Sequence, residues 1–148
     1  MMKIRQANKF DIPQIIELLW HYHASGVFLD IKITDDTTAK KLLSTILAGA
    51  GVAVVSEHDN KLTGMILGIC TPFLWDNKKL IINEIAYWVD EEYRGGSTGY
   101  RLLKEYTNIC NELKKQNKIS FYTISQMEGT KLNYEKFGFR PIESIWSQ

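Results

Sequence analysis

Two stretches of the 148-residue chain carry residues whose type and spacing could do chemistry. The first is RGGSTG, Arg94 to Gly99, between an apolar run and a helical pattern. Glycine weakens a helix, but it lets a backbone turn tightly and approach a ligand with no Cβ in the way. A helix start presents unpaired N–H groups and the positive end of its dipole. Strand, glycine loop and helix together therefore make a sound cradle for phosphate. Arg94 would add a charge-assisted contact or fix the loop. The same residues also suit a tight strand-to-helix turn that binds nothing. The second stretch is LIINEIAYWV, an apolar run interrupted by Asn83 and Glu84. A carboxylate in such a strand is costly unless it is paired or functional, which makes Glu84 a candidate general base. The plainer alternative is a glutamate on a solvent-facing strand position.

Two familiar phosphate cradles do not fit the loop. A Walker A loop ends in Gly-Lys-Ser/Thr, whereas Gly99 is followed by Tyr100 and Arg101. A dinucleotide fingerprint needs G-x-G-x-x-G near the first strand of its domain. His21 and His23, near a helix end, read as packing or surface residues before they read as catalysts.

The elements that must position these residues follow from periodicity. MKIRQA alternates as a short strand. Asp11 suits an N-cap, with Pro13 in the first turn, Gln14 at the capping-box position, and a stripe of Ile12, Ile15, Ile16, Leu19 and His23. A second helix opens near Thr38 and closes at Gly49. GVAVVSE and LTGMILGIC form a hairpin across HDNK, and Gly64 and Gly68 mark a bulge or a close backbone approach. TPFLWDNKK reads as a loop before the strand that carries Glu84. Residues 98–116 form the clearest helix, with Leu102, Leu103, Tyr106, Ile109, Cys110 and Leu113 on its apolar side. KISFYTIS is a strand, EGTKLNYEKFG a short helix stopped by Gly138, and FRPIESIW a closing strand. The strand–helix–strand unit around residues 98–116 should be a right-handed parallel crossover.

Length suits one domain spanning residues 1–148, and a composition of 45% apolar and 24% charged residues is that of a globular protein. A net charge of +1 argues against a broad nucleic-acid face. No apolar run reaches the roughly 20 residues needed to span a bilayer, and MMKIRQANKF lacks the apolar core of a signal peptide, so no membrane partner and a cytoplasmic location are expected. Cys70 and Cys110 lack metal-type spacing, no metal is expected, and Cys110 reads as a buried free thiol.

WVDEEYRGGSTGYRLL resembles the acetyl-CoA-binding motif of the GNAT superfamily of N-acetyltransferases. That motif is Arg or Gln, two residues, Gly, one residue, and Gly or Ala, after a strand ending in Val-Asp-Pro-Glu-Tyr or similar. NYEKFGFRPI resembles a later family segment in which a helix ends and a strand begins. The strong likeness covers roughly Glu84 to Ile142, and the N-terminal part matches in element order. There are departures: Ser97 stands where the motif has its first glycine, with the doublet Gly95-Gly96 just ahead of it. Glu91 replaces the family proline, and Met127 an asparagine common in the family.

The resemblance implies an α/β fold with a mixed, mostly antiparallel central sheet of six to seven strands and helices on both faces. It implies that Arg94, Gly95, Gly96, Ser97, Thr98, Gly99 and Tyr100 hold the pyrophosphate of acetyl-CoA. The pantetheine would pair with the backbone of Tyr87, Trp88 and Val89, and the Val89 N–H could stabilise an oxyanion. It implies direct transfer of an acetyl group to the amine of a small molecule or protein, with Glu84 as base and Tyr134 as the acid near the coenzyme sulfur. Tyr134 could otherwise be a core tyrosine whose hydroxyl finds a partner. Trp20, Phe28, Phe73 and Trp75 are candidates to line an acceptor site. A homodimer, common among the proteins it resembles, is a possible assembly. The rival readings are a degenerate module of this fold, binding CoA or nothing and acting through protein contacts, and a small nucleotide-binding regulatory domain.

Overall fold

In the computed structural model, which describes residues 1–25, 31–126 and 131–148, the second strand sorts its side chains by alternation. Along β2 (Gly51–His58), Val52 and Val54 join one apolar cluster and Ala53 and Val55 another. A strand buried on both faces must have an apolar layer on each. α1 (Ile12–Ala24) and α2 (Thr37–Thr45) cover one face, through Ile15, Ile16, Leu18, Tyr22 and Leu43. α3 (Thr98–Lys115) covers the other with Leu102, Leu103, Tyr106 and Cys110, all at 0% exposure. Burying each of these large side chains contributes roughly 1.5–3 kcal/mol, so α3 is held by its apolar side.

The sheet runs in chain order: β1 (Met2–Gln6), β2, β3 (Lys61–Phe73), β4 (Asp76–Val89) and β5 (Phe121–Thr123). The first three pairings are antiparallel, and β4 with β5 is parallel, joined through α3. Asp59 (φ 50°) and Asn60 (φ 66°) turn the β2–β3 hairpin in the conformation that two-residue turns of this kind require. The register of β3 on β4 slips between Leu67 and Gly68: Leu67 pairs with Ala86 and Gly68 with Glu84, leaving Ile85 as the extra residue of a bulge. A Cβ on Gly68 would lie 2.9 Å from the Tyr106 hydroxyl and 2.8 Å from Ile82, so this glycine is what lets α3 close on the sheet.

Several expectations are corrected. The sheet has five strands among the described residues, not six to seven. KISFYTIS supplies only Phe121–Thr123, and FRPIESIW adds no strand; Ile142, Ile145 and Trp146 are exposed there. Pro141 lacks the N–H that a ladder needs, and the charged Arg140 and Glu143 flank it. Of the helix expected over EGTKLNYEKFG, residues 128–130 lie outside the described residues, and the rest holds a 3₁₀ turn, Tyr134–Phe137, capped by Asn133 and stopped by Gly138 at φ +90°. TPFLWDNKK is mostly strand, because β3 continues to Phe73 and β4 begins at Asp76. Asp11 does not cap α1. The capping box is Asn8 with Asp11, around the short turn before the helix, and the Asp11 carboxylate accepts two hydrogen bonds from Arg5. Gln14 instead accepts from the Leu62 N–H at 2.9 Å. Leu18 and Tyr22, rather than Leu19 and His23, complete the buried stripe of α1.

Candidate active site

The glycine loop takes its shape from three residues. Gly95 sits at φ +88°, which glycine reaches without strain, while Gly96 has no such angle. Ser97 lies at φ −95°, ψ 0°, open to L-residues, so a serine there requires no glycine-like backbone. A Cβ built on Gly95 or Gly96 meets nothing within 4 Å, so the space beside both residues is open at those positions. The Ser97 side chain makes no capping bond, and the first helical hydrogen bond runs from the Arg101 N–H to the Ser97 carbonyl at 2.9 Å. The amides of Thr98, Gly99 and Tyr100 are therefore those that a helix start leaves without helical partners.

The flanking side chains are already engaged. The Thr98 hydroxyl turns inward, 2.9 Å from the Met2 sulfur, so only its backbone serves the loop. The Tyr87 hydroxyl donates to the Gly99 carbonyl and ties β4 to the first turn of α3. The Tyr100 ring packs against Phe137 and remains 47% exposed. Arg94 folds back over the end of β4: its Nε donates to the Val89 carbonyl at 2.7 Å, and its guanidinium lies 4.3 Å from the centre of the Trp88 ring. These positions give a paired prediction. Gly95→Ala should destabilise the free protein by about 1–2 kcal/mol through its positive φ. Gly96→Ala should leave the melting temperature unchanged, so any loss of anion affinity in a titration reports on the space above that residue.

Beside the loop the sheet opens. Pairing between β4 and β5 ends at Asn83 with Thr123, although β4 continues to Val89. Among the described residues, the backbone from Glu84 to Val89 has no strand on that side. The Thr123 hydroxyl donates to Asn83 Oδ1 at 2.8 Å, and the Tyr106 hydroxyl to the Thr123 carbonyl at 3.3 Å, so the apex of the wedge is held from β4 and from α3.

Glu84 and Tyr134 meet just past this apex through one residue. The Ser125 N–H points at Glu84 Oε1 at 3.4 Å, and its carbonyl accepts from the Tyr134 hydroxyl at 3.3 Å. Glu84 is 9% exposed. Burial pushes its pKa up to about 7, opposed by the Ser125 N–H. A carboxylate titrating there can take a proton at neutral pH and release it again. Burial also raises the Tyr87 pKa, with Tyr134 and Glu84 adding to the effect.

The remaining candidates scatter. His21 Nδ1 lies 2.8 Å from Asp90 Oδ1, and the same oxygen accepts the Trp88 indole N–H at 2.8 Å. His23 stacks on Tyr22, which stacks in turn on Trp88. Trp20 lines an open depression with Ile33, Thr34, Asp35 and Asp36. Phe73 packs edge-on against Phe121, and Trp75 is exposed at the turn between β3 and β4, at the end of β4 remote from the loop. Phe28 and Met127 lie outside the described residues. Sequence reasoning missed Ser125 and Asp90. Ser125 acts through its backbone, which no side-chain pattern reveals; Asp90 stood in view beside the loop. Among the described residues no three metal-ligating side chains cluster, and no helix is long and apolar enough to cross a membrane.

The model of the acetyltransferase (GNAT) family matches residues 12–139. No curated protein matched the chain. Among solved structures, a predicted acetyltransferase of Clostridium acetobutylicum, solved with acetyl-CoA, superposes at TM-score 0.75 with 17% identity, covering 100% of this chain and 96% of that one. The glucosamine-6-phosphate N-acetyltransferase of Arabidopsis thaliana gives 0.72 with 19% identity, covering 100% and 97%. An aminoglycoside acetyltransferase from an uncultured soil metagenomic sample, in complex with trehalose, gives 0.69 with 14% identity, covering 99% and 95%.

Proposed function

Because the chain belongs to the acetyltransferase (GNAT) family, we propose that it moves an acetyl group from acetyl-CoA to a primary amine by direct transfer in a ternary complex. The observation that carries this reading is the wedge between β4 and β5, with a buried carboxylate and a phenol converging on Ser125 within it. The reading takes residues 1–148 as one domain.

The residues present fit the coenzyme. Open space above Gly95 and Gly96, with the amides of Thr98 to Tyr100 behind it, suits a pyrophosphate. The edge at Tyr87, Trp88 and Val89, which no strand covers among the described residues and where the Val89 carbonyl accepts from Arg94, suits the amides of a pantetheine arm, which bond as an added strand would. Glu84, directly or through a water, accepts a proton from the acceptor ammonium, since an alkylamine is mostly protonated and unreactive at pH 7. The amine nitrogen then bonds to the acetyl carbon, where the Val89 N–H can stabilise the oxygen, and the carbon–sulfur bond breaks. Tyr134 gives its proton to the departing thiolate, and the second proton that the nitrogen sheds as the amide forms restores the phenol, directly or through water. Holding amine and thioester together in the wedge supplies the part of the acceleration that comes from proximity.

The test is binding first, then turnover. Acetyl-CoA or CoA at a hundred times its dissociation constant should stabilise the protein by about 2.7 kcal/mol, and ATP should not. Absence of a shift with either CoA species would sink the proposal. A shift without product on any of a panel of amines would leave a coenzyme-binding module without transferase activity. The panel should include amino sugars, because two structural neighbours are named for acetylating that class.

A further inference from the structure

Asp90 lies just ahead of the glycine loop and outside the proton-transfer pair, and both its backbone and its side chain are tied to other elements. It is the first residue after β4, which ends at Val89. Its N–H donates to the Thr63 carbonyl at 2.8 Å, and its carbonyl accepts from the Tyr93 N–H at 2.9 Å, so its backbone is held on both sides. Its side chain is 13% exposed, and a single oxygen, Oδ1, takes both the His21 ring nitrogen from α1 and the Trp88 indole N–H from β4. Trp88 in turn carries Arg94 on its ring face, and Arg94 donates to the Val89 carbonyl. One carboxylate oxygen thus links α1, the last turn of β4 and the arginine at the rim of the glycine loop.

We infer that Asp90 is a positioning residue for the coenzyme, with His21 as its outer partner: it fixes the Trp88 ring, and through that ring the place of Arg94 and the open edge at Val89. This rests on the proposed acetyl-CoA reading. Asp90 touches neither the acetyl group nor the amine. Its work is to hold the strand edge and the loop rim at one spacing, so that pantetheine and pyrophosphate meet their partners together. A hydrogen bond to a charged group contributes more than a neutral one, and the Asp90 oxygen makes one with the indole at least. Without it the indole loses its acceptor and the ring can rotate, and the seat under Arg94 goes with it.

The experiment compares wild type with Asp90→Ala, Asp90→Asn and His21→Ala. Acetyl-CoA affinity is measured by titration calorimetry, and kcat and KM on whichever amine the wild type accepts. Asp90→Ala should weaken acetyl-CoA binding about tenfold, the size of one charge-assisted hydrogen bond. Its kcat at saturating acetyl-CoA should stay within about twofold. Asp90→Asn, which keeps an oxygen for the indole, should recover most of the affinity. His21→Ala, at a half-exposed position that the fold tolerates, should weaken binding by about threefold. A tie that served stability alone would lower the melting temperature and leave the acetyl-CoA KM untouched. Wild-type binding with unchanged affinity in His21→Ala, and in Asp90→Ala if it folds, would overturn the inference and leave the proposed activity standing. No binding by the wild type would overturn both.

Discussion

Replacing Glu84 by glutamine should lower kcat by about 10²–10⁴-fold, leave acetyl-CoA affinity unchanged, and make the protein more stable above pH 7. The three effects have one cause. Glu84 is buried, and burial holds its pKa at about 7 against an ordinary 4.5. The folded chain therefore holds this proton more tightly than the unfolded chain. Stability is largest below about pH 4.5, declines as the pH rises through the window to about 7, and stays at its lower value beyond. Glutamine has no proton to lose, so the variant should escape this decline. The gain at pH 8 is on the order of 3 kcal/mol at most, or several degrees in melting temperature. Activity should run the opposite way. The wild-type kcat/KM should rise with pH through about 7 as the base ionises, and the glutamine variant should lack that inflection. Melting curves and initial rates from pH 5 to 9 test both signs. An unchanged kcat/KM would remove Glu84 from the mechanism, and an unchanged melting profile would place its carboxylate in water rather than in the wedge.

Tyr134→Phe should lower kcat by about 10²-fold or more, again without loss of acetyl-CoA affinity. The substitution keeps the ring contact with Phe139 and removes only the oxygen that points at the Ser125 carbonyl. A phenol is suited to protonate a thiolate as the carbon–sulfur bond breaks, because the two bases are of comparable strength and the proton can pass either way at little cost. An acceptor series varying in amine basicity should show the same fall for each member, since the lost proton serves the leaving group. If kcat stays within threefold, Tyr134 is a wall of the wedge and the thiolate takes its proton from elsewhere.

Much of this arrangement was legible in the sequence where a local rule decides it. Gly95, Gly96 and Ser97 between a strand and an amphipathic helix announced the loop, and Asp59-Asn60 announced the hairpin turn, because backbone angles restrict the residues that fit. Glu84 stood out because a carboxylate in an apolar strand is costly wherever the strand goes. What the sequence did not disclose depends on contacts between distant residues. Ser125 joins Glu84 to Tyr134 through its backbone, which carries no side-chain signature. Asn8 rather than Asp11 supplies the cap because Arg5, two strand positions before the turn, takes the Asp11 carboxylate. FRPIESIW carries the isoleucines and aromatics common in strands, but composition does not say whether a partner edge exists for it. The end of β3 was read as loop because Pro72 and the aromatics after it look like a turn, whereas pairing with Leu80 carries the strand on to Phe73.

The bulge at Ile85 also bears on how this chain can drift. A strand has two sides, and each residue added or removed exchanges them for everything beyond. With Ile85 as the extra residue, Glu84 pairs with Gly68 and Tyr87 with Ile66, so the acid side chain and the tyrosine that anchors the loop share a side although three positions separate them. Deleting Ile85 would heal the ladder and leave Glu84 on Gly68 and Ala86 on Leu67 as adjacent rungs, with Glu84 still on the side of Tyr87. A residue gained or lost in β4 outside the bulge has no such slack and would turn one part of the strand over against the other. The bulge is thus the one place among the paired residues of β3 and β4 near Glu84 where a codon can be lost without parting the carboxylate from the side of Tyr87.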